Sequence, residues 1–453
     1  MDIDKHKNKN KKILQLVVVF FVLLLIISII TSVYSIQWKP LKDIDIVSDI
    51  FVSKDARQKA KEDSSFYVIS VTPQNSSGSV SRTFYHFFRK DRITDFYTDT
   101  NAVAMNRFIN KLHQLKKRKG KIRIAFLGDS MIEGDYISST LRKLLQQEFG
   151  GNGVGFVPIE SVADAVTVAT HHSGNWRDEN FRSKQKSNPL FLSGHSFYAG
   201  NNAWFDAKDN TVNNNTALSK RLFTGRGAAC NVVYNGNGES IMPNDLFNNI
   251  LLGDSSGNEI KLTVNNASLP VYGVSFESDD GIIVDNFSFR GAGGIEFAKF
   301  DTSFLQSIAQ NNPYDLIIMQ YGINLIEKST DTNFNWYVKP MEASVNKIRH
   351  YFPQADILML SAADRAFLYD DEMRTAVGIT NIIALQEKIA YETNASFYNM
   401  FVSMGGDSSI IRWVDAKPPL AYKDYMHPND KGSEVLGQSI FDAIMQEYRK
   451  IKE

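Results

Sequence analysis

Apolar positions in this chain follow two rhythms. Residues 122–127, 282–289, 316–320, 357–360 and 395–398 are short, nearly continuous apolar runs, as strands buried on both faces require. Residues 136–149, 300–310, 336–351, 374–393 and 431–448 instead repeat apolar side chains at helical spacing, and the first of these stops at Gly150-Gly151. Strands alternating with helices pair in parallel through right-handed crossovers. The pattern therefore predicts an α/β fold, a three-layer α/β/α sandwich around a parallel, flavodoxin-like sheet, over residues 121–160 and 281–453.

Between residues 161 and 280 the helical rhythm stops. Asn, Gly, Ser, Thr and aromatic residues occur there in short alternating runs, such as Lys261-Leu-Thr-Val and Tyr272-Gly-Val-Ser-Phe. This is an all-β pattern, and because the α/β rhythm resumes after it, an all-β sandwich inserted into a loop of the larger domain is expected. The alternative is that these strands extend the main sheet. Upstream, residues 37–120 divide into a stalk without periodicity and a lead-in segment from Phe84 to Leu115, where Phe108, Leu112 and Leu115 have helical spacing.

A third pattern stands at the start of the chain. Residues 13–36 are uncharged and almost wholly apolar, long enough to span a bilayer as a helix, and residues 1–12 carry Lys5, Lys7, Lys9, Lys11 and Lys12. The apolar run exceeds a usual signal-peptide core, and no small-x-small cleavage site follows it. The expectation is an uncleaved single-pass anchor, with its basic tail in the cytoplasm and the body outside. A single cysteine, Cys230, excludes an intramolecular disulfide framework. Net charge is zero and the one other basic run, Lys116-Lys-Arg-Lys-Gly-Lys, has no interleaved aromatics, which argues against nucleic acid as a partner. His171 and His172 lack the spacing of a metal site, and neither a metal nor a cofactor is expected.

The chemistry lies where strand-like runs end. Gly128-Asp129-Ser130 follows the run at 122–127, Gly322-Ile323-Asn324 follows 316–320, and Asp424-Tyr425-Met426-His427-Pro428 precedes the last helix. A serine hydroxyl becomes a nucleophile when a histidine takes its proton and a carboxylate holds the other ring nitrogen. Ser130, His427 and Asp424 fit these roles, Asp424 lying three residues before His427. Asp129, adjacent to the serine, points elsewhere. The Ser130 N–H, the Asn324 amide and the N–H of Gly291, after the run at 282–289, are candidate donors to the oxyanion of an acyl-transfer intermediate.

These blocks resemble the SGNH (GDSL-type) hydrolase superfamily. Its serine, glycine, asparagine and histidine correspond to Ser130, Gly291, Asn324 and His427. Met131 stands where the family has leucine, Leu325 where many members have an acid, and Gly293 and Gly294 lie beside Gly291. The run Met131-Ile-Glu-Gly-Asp-Tyr, then Leu141-Arg142 and Phe149-Gly-Gly-Asn-Gly-Val-Gly-Phe, is similar to envelope enzymes that deacetylate peptidoglycan or other glycans and carry a β-rich, carbohydrate-binding-like module. The resemblance implies an acetylated glycan substrate and an acetyl-serine intermediate. Two rivals use the same residues differently: an O-acetyltransferase, whose partner would be an integral-membrane acyltransferase, and an inactive glycan-binding protein. Asp135 reads as a carboxylate favoured by a helix N-terminus. Arg365 reads as a contact for an acidic glycan or a partner of Asp364 or Asp370, and Trp176, Trp204 and Phe205 as core or sugar-stacking faces.

Overall fold

The computed structural model describes residues 82–84, 92–97, 99 and 102–451. The expected basic tail, membrane span and most of the stalk lie outside the described residues. Among the described residues no helix is long and apolar enough to cross a membrane.

Strands Lys121–Gly128, Gly281–Ser288, Leu316–Gln320, Asp356–Leu360 and Ser396–Tyr398 form one sheet, and every pairing in it is parallel. Numbered along the chain, their spatial order is 2-1-3-4-5, the flavodoxin-like order expected. The register places Gly128 opposite both Ser288 and Gln320, so the chain leaves three neighbouring strands at one level. The Phe289 N–H then donates to the Gly128 carbonyl at 3.0 Å, joining the turns that carry Gly291 and Ser130.

Two helices fix the outer wall of that edge. Tyr136–Phe149 buries Ile137, Leu141, Leu145 and Phe149, an i, i+4 stripe facing the sheet. It packs against Asp430–Lys450 so closely that a Cβ on Gly437 would lie 2.8 Å from the Ile137 carbonyl oxygen. Ser130 precedes the first of these helices and His427 the second. Their close contact is what brings two residues distant in sequence to one place.

The helical boundaries differ from expectation at two points. The lead-in helix covers Asn106–Lys117, and upstream of it Thr94 bridges Phe397 at the edge of the parallel sheet. The helix expected from residue 374 begins at Ile379, because residues 366–375 fold as a hairpin, Ala366–Tyr369 against Glu372–Thr375. Asp370 and Asp371 occupy its turn with positive φ, a conformation Asp tolerates.

Residues 155–277 form two antiparallel sheets separate from the parallel one. The region opens at Gly155 rather than at 161, since Gly155–Pro158 pairs with Val271–Glu277. Both sheets contribute to one core that includes Val157, Phe197, Leu222, Phe205, Leu262 and Val274. The other face of the first sheet packs on the α/β domain through Phe156, Phe191, Phe223 and Phe247, which meet Phe287 and Phe304. A buried ion cluster crosses the same boundary: Arg123 on the first parallel strand pairs with Asp285 at 2.9 Å and with Glu277 of the antiparallel sheet. Burial alone would raise the Glu277 carboxyl, but Arg123 holds it down to about 2. Trp176 and Phe205 are buried, which assigns them to the core, whereas Trp204 is exposed.

Candidate active site

Ser130 sits in the turn directly after the strand Lys121–Gly128. Its Oγ lies 2.8 Å from His427 Nε2, and His427 Nδ1 lies 2.6 Å from Asp424 Oδ2. The other Asp424 oxygen accepts from the backbone N–H groups of Met426 at 3.0 Å and His427 at 3.1 Å. Burial pushes this carboxyl up, but bonds from the His427 ring, its backbone N–H and the Met426 N–H outweigh burial and hold it at about 2. An ionised Asp424 accepts from Nδ1, so Nδ1 carries the proton and Nε2 is left to accept from the serine hydroxyl.

The loop is shaped for this. Tyr425 adopts φ 54°, its carbonyl accepts from the Ala366 N–H at 3.0 Å, and Tyr422 N–H donates to the His427 carbonyl at 2.9 Å. A turn that tight lets Asp424 reach a ring three residues ahead.

Asn324 joins the other two segments. Its Nδ2 donates to Asp129 Oδ2 at 2.9 Å and to the Ala292 carbonyl at 3.2 Å, tying the serine turn to the turn that holds Gly291. Among the described residues the N–H groups of Ser130 and Gly291 have no hydrogen-bond partner, whereas both hydrogens of the Asn324 amide are given to protein acceptors. Gly291 has φ 81°, a conformation glycine takes without strain.

Three residues have roles that their sequence positions did not announce. Asp129 is fully buried and its Oδ1 accepts from the Met131 N–H at 3.0 Å, so it fixes the serine turn and the Asn324 amide together. Arg365 does not pair with Asp364 or Asp370; its Nη1 donates to the Ile326 carbonyl at 2.6 Å and, at 3.4 Å, to that of Ile323, bracing the turn around Asn324. Asp135 is not a helix-dipole carboxylate: it has positive φ, makes no cap bond, and is buried in an ion pair with Arg142 while accepting from Ser138 and Thr167. Arg142, seven residues on, was the available signal for that pairing. His171 and His172 are exposed, and no cluster of metal-ligating side chains occurs among the described residues.

Burial pushes the Asp129 carboxyl up to about 7 despite the Met131 N–H and the nearby His427. Folding therefore favours its protonated form. Stability from this group is present below its ordinary value of 3.8 and is lost as pH rises through about 7. An Asp129→Asn variant cannot ionise, so its melting temperature rises relative to wild type between pH 4 and pH 8. A constant difference across that range in thermal melts would contradict the placement of the charge.

No protein-family model matches the chain, and no curated protein matches it. Among solved structures, a peptidoglycan O-acetylesterase superposes with a TM-score of 0.65 at 22% identity, over 76% of this chain and 97% of its own. The chain shares the fold of that structure. A family two carbohydrate esterase from Cellvibrio japonicus matches at 11% identity over 63% of this chain and 100% of its own, with a TM-score of 0.27. A carbohydrate acetylesterase from Sinorhizobium meliloti matches at 14% over 36% and 79%, also with 0.27. Ser130, Gly291, Asn324 and His427 all border one edge of the parallel sheet.

Proposed function

We propose that this chain is a serine esterase that removes O-acetyl groups from a cell-envelope glycan, peptidoglycan or polysaccharide, and that it works outside the cytoplasm from an N-terminal membrane anchor. The observation that carries the proposal is the unbroken relay from Asp424 through His427 to Ser130, with distances of 2.6 and 2.8 Å, beside backbone N–H groups that have no partner among the described residues. Ser130 Oγ attacks the acetyl carbonyl while His427 Nε2 takes its proton. The carbonyl oxygen becomes an oxyanion facing the N–H groups of Ser130 and Gly291. Collapse breaks the ester bond, the sugar oxygen leaves with the proton from His427, and the acetyl group stays on Ser130. Water, deprotonated by the same ring, then releases acetate.

The overall likeness to a peptidoglycan O-acetylesterase supports the choice of an acetylated glycan. The apolar run at 13–36 behind five lysines supports the anchor and the side of the membrane. Asn324 enters the oxyanion site by exchanging its longer bond, the one to the Ala292 carbonyl, for the substrate oxygen. Asn324→Ala accordingly lowers kcat for p-nitrophenyl acetate by about 10²–10³-fold, as loss of one oxyanion donor does elsewhere. An unchanged kcat would leave the amide a purely structural tie.

The test of the function is acetate released from O-acetylated peptidoglycan and from acetylated polysaccharides, each against the Ser130→Ala protein. Release from one of them, absent in the variant, supports the esterase. Transfer of acetyl to an added sugar without free acetate would overturn hydrolysis in favour of an acetyltransferase.

A further inference from the structure

A cavity of about 270 Å³ lies between the antiparallel sheets and the α/β domain. One side is closed by the ion pair of Glu133 with Arg290, residues that stand three after Ser130 and one before Gly291. Ser130 and His427 are not in its walls. It adjoins the acyl site without being part of it.

Several acids in these walls have basic partners, while Asp164 and Arg182 have no ion pair among the described residues. Glu133 meets Arg290, Asp135 meets Arg142, and Asp178 Oδ1 lies 2.9 Å from His195 Nδ1. The walls also keep hydrogen-bonding capacity that the protein does not use. Asp178 accepts from His195 and from Asn180, which leaves lone pairs on both oxygens. His195, with Nδ1 engaged, keeps Nε2 without a partner among the described residues. Ser193 is buried, its hydroxyl unpartnered there too, an unfavourable state that a ligand hydroxyl relieves. Phe289 adds an apolar face and is itself gripped by Phe181 and His195, ring centres 5.0 Å away in each case. Arg182 spends Nη2 on the Arg290 carbonyl at 2.7 Å, so the wall of the cavity and the turn holding Gly291 are one structure.

We propose that this cavity is a subsite for a pyranose unit of the glycan chain, the one adjacent to the acetylated sugar; this rests on the glycan-esterase reading above. A ring with several hydroxyls and an apolar C–H face fits walls that offer spare acceptors, an unpartnered hydroxyl and one aromatic face. The cavity holds one sugar unit while the neighbouring unit presents its ester to Ser130.

The experiment is calorimetric titration of soluble, de-O-acetylated peptidoglycan strands into the full-length Ser130→Ala protein. Adding Ser193→Ala removes no bond within the protein, and it weakens strand binding about fivefold. Adding Asp178→Ala weakens it more than about tenfold. Affinities within twofold across all three proteins, or no strand binding by Ser130→Ala itself, overturn the subsite. Turnover of p-nitrophenyl acetate by the wild type reports the ester chemistry separately. A chain that cleaves this ester and binds no strand loses the subsite and keeps the esterase; one that binds strands through Ser193 and cleaves no ester does the reverse.

Discussion

Ser130→Ala lowers kcat for acetate release by about 10⁴–10⁶-fold and leaves the melting temperature of the protein unchanged. The first half follows from chemistry: without Oγ no acetyl-enzyme forms, and what is left is the direct attack of water helped by the oxyanion donors. The second half follows from the geometry. The hydroxyl makes one hydrogen bond, to His427 Nε2 at 2.8 Å, and the turn around it is held instead by Asp129, whose carboxylate binds Met131 and Asn324. Removing Oγ therefore takes away the reacting atom and little of the structure. Mass spectrometry of wild type quenched in acid during turnover finds acetyl on the peptide containing Ser130, and finds none in the variant. A loss of less than about a hundredfold would mean that some other group is the nucleophile.

What could be read from the sequence is what short-range pattern controls. The five parallel strands are mostly apolar runs, and runs of that kind report burial on both faces directly. Ser130, Asp424, His427 and Asn324 stand in turns next to these strands or before the last helix, where residue type and position together announce chemistry. The hairpin at 366–375 was missed because its strands, Ala366–Tyr369 and Glu372–Thr375, are four residues each, too short to set a period. Arg365, Asp135 and Arg182 were missed for other reasons. Arg365 and Arg182 donate to the backbone carbonyls of Ile326 and Arg290, which leave no mark in the partner's residue type, whereas Asp135 pairs with Arg142, seven residues on, a spacing that helix-end reasoning passed over. Gly291 was legible as a glycine after a strand, but the hold on its turn comes from the antiparallel sheets through Arg182 and Phe181, which no local pattern connects to it.

Asp424→Asn lowers kcat by about 10⁴-fold, at least as much as Asp424→Ala does, although asparagine is the closer replacement in shape. The reason is the way the loop presents this side chain. One oxygen accepts two backbone N–H groups, from Met426 and His427, and the other accepts from His427 Nδ1. In the asparagine variant only the amide oxygen can satisfy the two backbone donors, so it takes that position and the NH₂ group is turned toward Nδ1. The ring answers with its other tautomer, proton on Nε2, and can no longer accept the proton of Ser130. Alanine leaves the ring free to take either tautomer and exposes Nδ1 to water, since the carboxylate site is half exposed to solvent. If Asp424 merely stiffened the loop, asparagine would restore what alanine loses. The wild-type acid, held at about 2, stays ionised across any practical assay range, so the loss in both variants is the same from pH 5 to pH 8 as far as this group is concerned. Steady-state kinetics of the two variants on p-nitrophenyl acetate decide the matter: an asparagine variant more active than the alanine variant would refute the tautomer account and, with it, the assignment of His427 Nε2 as the base.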